Sequence, residues 1–258
     1  TGETLSQQID RLNPPAPDGL VIYTVKDPYK PTGGLRILGG NLSHESSAVL
    51  KLAGVEGGLE NNVFVGKARV FDGEHALLNS LENEPHIFNN HDMIIVRYEG
   101  PSGAPGMPEM LDATSRITTL CREQGMVVGL MTDARFSGGS VGLVIGHVGP
   151  EAALGGEIAL IEDGDEIIVD LNINELNCTQ LSDNAILNKR KSAWEKTVES
   201  NGGMHPSVGI ADTRLLNRMR LSAVSAKFGA GMHPDRKLWV SEPRNPMKTS
   251  FVPSNKWR

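Results

Sequence analysis

Two polar residues in this chain are each delivered by an apolar run into a loop of small residues, the usual setting for chemistry. Residues 93–98 read as a buried strand that ends at Glu99, followed by Gly100, Pro101, Ser102, Gly103, Ala104, Pro105 and Gly106. A carboxylate at a strand end can ligate a hard cation or move a proton. The N–H groups that open the helix expected over residues 108–124 can receive an anion such as a carboxylate. Spacing alone favours the plainer alternative for Glu99, a solvated acid at a loop edge. A second apolar run, residues 127–132, enters Asp133-Ala134-Arg135-Phe136-Ser137-Gly138-Gly139-Ser140. Glycines behind a serine let backbone donors approach a ligand closely. The serine could then act as a nucleophile or, beside a cation, as a base. It is not a nucleophile elbow, because Arg135 stands where that motif needs glycine, and most turn serines are only turn serines. His147, on an expected strand, reads by itself as a hydrogen-bonded structural histidine.

These groups must be held by a β-rich frame. Strand signals recur at residues 35–38, 48–53, 63–70, 93–98, 127–132, 141–148, 158–161 and 166–171, several of them β-branched and bounded by Gly, Asp or Asn. Residues 20–25 add another near the start, and Asp163-Gly164 is a hairpin signal between the last two strands. Helices are few. Short ones are expected over residues 4–12 and 74–81, a longer one over 108–124 with Pro108 in its first turn and Gly125 past its end, and two more over 183–199 and 214–221. Many strands with few helices predict a mixed α/β, β-rich fold: a closed or nearly closed barrel flanked by helices, with a helical and irregular C-terminal extension. The expected divisions are a connector over residues 1–32, the barrel over 33–180 and the extension over 181–258.

The bulk composition removes whole classes of function. The 258 residues carry a net charge of −6 with no basic stripe, which argues against a nucleic-acid partner. No apolar run is long enough to cross a bilayer as a helix. Cys121 and Cys178 form no CxxC pair, which suits reduced thiols in a cytoplasmic protein. With aromatics at only 5%, the core must rest on Val, Ile, Leu and Ala. Because the first residue is Thr1, a longer protein with residues upstream is expected.

Three Gly-rich segments, taken in order, resemble the dihydroxy-acid and sugar-acid dehydratase family. They are Gly33-Gly34-Leu35-Arg36-Ile37-Leu38-Gly39-Gly40-Asn41-Leu42, the run from Arg97 through Glu99-Gly100-Pro101 to Met110, and the run from Thr132 through Ser137 to Ile145-Gly146-His147-Val148-Gly149-Pro150-Glu151-Ala152. The similarity covers residues 33–194 and corresponds to that family's C-terminal domain. It implies a swivelling β-barrel and a complete enzyme that dehydrates a 2,3-dihydroxy acid to a 2-keto acid, with an iron–sulfur cluster and Mg²⁺. By resemblance, Ser137 is the base that takes the C2 proton and Glu99 reaches the Mg²⁺ site. Gly138, Gly139 and Ser140 line the substrate carboxylate. The cluster ligands belong to an N-terminal metal-bearing domain that nothing here matches, so this chain is expected to hold no cluster and to be inactive alone. Residues 26–31 and the long tail resemble the xylonate branch, pointing to a small-molecule sugar acid as substrate. A homo-oligomer is also expected. The rival reading is a stand-alone substrate-binding or regulatory barrel without catalysis.

Overall fold

The computed structural model describes residues 2–44, 46–52, 57–137, 142–209 and 213–232. The chain divides between Gly34 and Leu35 into two units. In the first, helix α1 (Leu5–Leu12) is capped by Thr4, whose side chain accepts from the Gln7 amide. The strand expected over residues 20–25 does not form. The Asp18 carboxylate accepts from the amides of Leu20, Val21 and Ile22, which holds the segment as a turn instead of leaving those donors for a ladder.

The second unit contains, among the described residues, strands β1 (Leu35–Leu38), β2 (Ala48–Lys51), β3 (Val63–Asp72), β4 (Asp92–Arg97), β5 (Gly129–Thr132), β6 (Leu143–Gly146), β7 (Glu166–Asp170) and β8 (Glu175–Cys178). Its helices are α2 (Glu74–Asn83), α3 (Leu111–Gln124), α4 (Asn184–Ser200) and α5 (Arg214–Ser222). The sheet order is β1-β2-β6-β5-β4-β3-β7-β8. The four central strands run parallel, and both flanks are antiparallel. Helix α2 carries the chain from β3 to β4, and α3 from β4 to β5, as parallel neighbours require.

Strand alternation sorts the core into two layers. On β4, Met93 and Ile95 face the barrel interior with Leu50, Phe64, Met131 and Ile145. Ile94 and Val96 face outward, against Leu77 of α2 and Ala113 and Ile117 of α3. Both faces of β4 are thus covered, which is why it reads as an unbroken apolar run. Each such side chain contributes roughly 1.5–3 kcal/mol on burial.

The barrel is nearly closed, by the first Gly-rich segment. Past β1, Gly39 pairs in parallel with Glu175 at the start of β8. The Gly39 amide donates to the Asn174 carbonyl at 2.9 Å, and the Leu176 amide donates to the Gly39 carbonyl at 2.9 Å. Asn41 extends the seam with its side chain: its Nδ2 donates to the Cys178 carbonyl and its Oδ1 accepts from the Cys178 amide. Gly40, at φ 99°, passes so close to β8 that a Cβ would lie 2.4 Å from the Leu176 carbonyl oxygen. That motif is therefore spent on closing the barrel.

Several sequence expectations change. Residues 158–161 do not form a strand: Glu157–Leu160 is a 3₁₀ turn. The Asp163-Gly164 turn consequently leads from that turn into β7 instead of joining two strands. Strand β8 was not anticipated. Helix α3 begins at Leu111, so Pro108 precedes it, whereas Gly125 does end it in the left-handed region at φ 65°. The expected strand at 141–148 contracts to β6, which leaves His147 just outside it at φ 57°. Among the described residues no helix is long and apolar enough to cross a membrane.

Candidate active site

Strands β4 and β5 are parallel neighbours with Val96 opposite Thr132, so their C-terminal ends open side by side. In parallel sheets this is the edge where ligands bind. Glu99 leaves from the first strand and Ser137 from the second.

Two buried carboxylates knit the exits together. Asp133, fully buried, directly follows β5 and accepts from the Tyr98, Glu99 and Ala152 amides at 3.1, 3.0 and 3.0 Å. Burial pushes its carboxyl up to about 6, partly offset by those three donors. Glu151, also buried, accepts from the Ser102 amide at 3.1 Å. Its carboxylate presses on Gly100, where a Cβ would come within 2.2 Å of Oε2. The second and third Gly-rich segments are thus held by acids whose side chains point inward at backbone amides.

Glu99 itself is half-buried, and its Oε1 accepts from the Glu74 amide at 2.9 Å. Helix α2 has no side-chain cap of its own, since its N-cap is Gly73. Glu99 therefore caps it from the neighbouring strand end, where negative charge is favoured. Burial raises its carboxyl above the ordinary range, while the Glu74 amide and nearby His75 pull it back. This is not the solvated loop-edge acid that spacing alone favoured.

Ser137 is half-buried. The path to it is fixed at every step: the Ala134 amide donates to Thr132 Oγ1, Arg135 Nε donates to the Met107 carbonyl, and Phe136 packs against the outer core. The His147 amide donates to the Ala134 carbonyl at 2.8 Å. Burial, with Arg135 nearby, lowers the His147 pKa, which favours the neutral ring. Gly138, Gly139 and Ser140 lie outside the described residues.

Sequence reasoning missed the supporting layer. Arg97 donates to the carbonyls of Ala159 and Ile161 at 2.8 and 2.9 Å and pairs with Asp72. Tyr98, at φ 68°, turns the chain toward Glu99. Its hydroxyl accepts from Trp194 Nε1 of α4 at 3.2 Å, and its ring stacks on His205 at 4.7 Å. Burial, first among its causes, raises the phenol to about 12. The acids Asp133 and Glu151 stand inside the quoted motifs, but nothing in their spacing marks them as buried.

Glu99 offers carboxylate oxygen, which suits Mg²⁺. Among the described residues, no group of three or more His, Cys, Asp or Glu side chains is placed to hold a metal. An iron–sulfur cluster needs several thiolates, and the residues present do not fit one. Cys121 and Cys178 are the two cysteines, and burial raises both thiols, Cys178 to about 11.

Glu99, which caps α2, and Ser137 leave adjacent strand ends of the barrel, the edge at which α/β proteins of this type bind small molecules. Residues 20–230 match the family model described as dihydroxy-acid/6-phosphogluconate dehydratase C-terminal, and the chain belongs to that family. It is 44% identical over 195 residues to a dihydroxy-acid dehydratase of Mycobacterium sp. (strain JLS), covering 76% of this chain and 32% of that protein. It is 44% identical over 194 residues to a dihydroxy-acid dehydratase of Francisella tularensis subsp. novicida (strain U112), covering 75% and 33% respectively. The one from Mycolicibacterium paratuberculosis is 47% identical over 171 residues, 66% of this chain and 28% of the relative. The chain thus spans about a third of the length of these relatives.

Proposed function

We propose that this chain supplies the proton acceptor and one metal ligand to a hydro-lyase that converts a 2,3-dihydroxy acid to a 2-keto acid. The observation that carries the reading is the exit of Glu99 and Ser137 from the C-terminal ends of two parallel neighbours, cross-linked by Asp133. Ser137, as the alkoxide, takes the proton from C2. The C2–H electron pair becomes the C2=C3 bond, the C3 hydroxyl leaves with the proton that Ser137 has taken, which releases water and restores the alkoxide, and the resulting enol tautomerises to the keto acid. Bound Mg²⁺ would supply positive charge against the substrate carboxylate and C2 hydroxyl. Glu99 would hold that ion and so bring it near the serine. The remaining Mg²⁺ ligands, and any iron–sulfur cluster, would come from an N-terminal metal-bearing domain outside this chain. The Gly138 and Gly139 amides and Ser140 would receive the substrate carboxylate. Among 2,3-dihydroxy acids, an aldonic acid such as xylonate is our preferred substrate, resting on residues 26–31. A simpler dihydroxy acid, the class for which the relatives are named, is the competitor. A cytoplasmic setting suits the two free thiols.

The test uses the full-length protein, assayed for keto-acid formation and metal content with both substrates. Ser137→Ala should lose at least ~10²–10⁴-fold in rate with its metals retained. Glu99→Gln should lose Mg²⁺ affinity and rate together. Near-normal turnover by Ser137→Ala would leave Ser137 a turn serine and overturn the proposal.

A further inference from the structure

Among the described residues of this unit, Arg97, Arg190 and Arg220 are largely buried, and two of them are matched. Arg97 is paired with Asp72, and Arg190 with Asp165 and Glu162. Arg220, on α5, is 5% exposed and has no ion pair among the described residues. Its Nε is buried without a hydrogen-bond partner, and its Nη1 meets only the soft Met204 Sδ at 3.8 Å. A guanidinium never sheds its charge in a protein, so its burial without a counter-charge is costly. Burial alone lowers its pKa.

Arg220 lines an open cleft of about 740 Å³ between α5 and the loop after α4. Asn217 and Arg220, spaced by three, present one face of α5 to it, and Thr213, the N-cap, stands on the same side. Arg214 stands in the first turn of the helix, and His205 lies on the facing wall. Among the described residues that line the cleft there is no Asp or Glu, although the chain as a whole has a charge of −6. Asp72, whose charge acts on His205, is engaged by Arg97 and by the Ser207 hydroxyl. Donors and positive charge therefore converge on a space to which the described residues bring no carboxylate.

We infer that this cleft is an oxyanion-binding site, centred on Arg220, for the phosphate or carboxylate group of a small molecule. It is separate from the Glu99–Ser137 site but borders it, because His205 stacks on Tyr98, the residue before Glu99. Two sources share this chemistry: the far end of a phosphorylated substrate, and a free anion that acts from outside the reaction.

Isothermal titration of the 258-residue chain with inorganic phosphate, at low chloride, tests the site directly. Saturable single-site binding is expected, weakened about tenfold or more by Arg220→Gln, since bonds to charged groups are the strong ones. Asn217 is on the exposed rim, so Asn217→Asp should weaken binding similarly without lowering the melting temperature. That variant decides the matter if Arg220→Gln fails to fold. Ser137→Ala should bind phosphate normally, which separates this site's failure from failure of the catalytic reading. Competition by a phosphorylated aldonic acid, but not by its unphosphorylated counterpart, assigns the cleft to the substrate's far end. Competition by neither assigns it to a free anion. Absence of saturable binding, or equal binding by wild type and both variants, overturns the inference.

Discussion

Replacing Asp133 with Asn opposes two effects that pH can separate. Asp133 accepts from three amides, two of them buried, through two oxygens, and Asn keeps only one acceptor. At least one amide then faces an NH₂ group, a loss of about 1–3 kcal/mol. Against this, the wild-type carboxyl is raised from 3.8 to about 6, so the folded state resists its ionisation. A raised folded pKa contributes stability that is complete below the unfolded value and disappears as pH rises through the folded one. The window is therefore pH 3.8 to about 6, and roughly two units at 1.36 kcal/mol each amount to about 3 kcal/mol. Asn has no such loss. The penalty of Asp133→Asn should accordingly shrink as pH rises, by about 1–2 kcal/mol between pH 5 and 7.5. Urea denaturation of both proteins, followed by tryptophan fluorescence across that range, measures the difference directly. Other titrating groups are common to the two and cancel. A penalty that grows with pH would refute the reasoning, since it would mean that the three donors hold the carboxyl below its ordinary range and outweigh burial.

Gly40→Ala should cost about 3 kcal/mol or more, because its Cβ meets backbone at 2.4 Å and the seam bonds must give way. Hydrogen exchange should quicken first at the Gly39 and Leu176 amides, ahead of β4, and uniform protection would count against the seam. Alkylation at pH 8 should reach half-buried Cys121 well before buried Cys178, whose thiol is pushed up to about 11. Peptide mapping that finds Cys178 modified first would contradict that order.

The elements with strong local signals were legible in the sequence. An unbroken apolar run could mark β4 because both its faces are covered. Helix α4 forms close to the range expected for it, and Asp183 caps it, its side chain accepting from the Ala185 amide. The short apolar run at residues 158–161 was misread because periodicity over four residues cannot tell a strand from a turn. In the fold, its carbonyls serve Arg97 instead of a ladder. Strand β8, Glu-Leu-Asn-Cys, carries almost no local signal and exists through its pairing with β7 and Asn41.

The same division holds at the site. The sequence by itself determined which residues could do chemistry, that Glu99 and Ser137 follow strands, and which family their surroundings resemble. It could not say that those strands are parallel neighbours, because register is a property of pairing and the two residues stand 38 positions apart. Nor could it show that Glu99 caps α2, that Asp133 binds the amides of both exits, or that Arg220 is buried without a carboxylate. Each of these depends on which backbone groups lack partners once the barrel has closed. Burial then turns an ordinary Asp, Glu or Arg into a charge that must be satisfied, and only the tertiary structure decides what lies within reach to satisfy it.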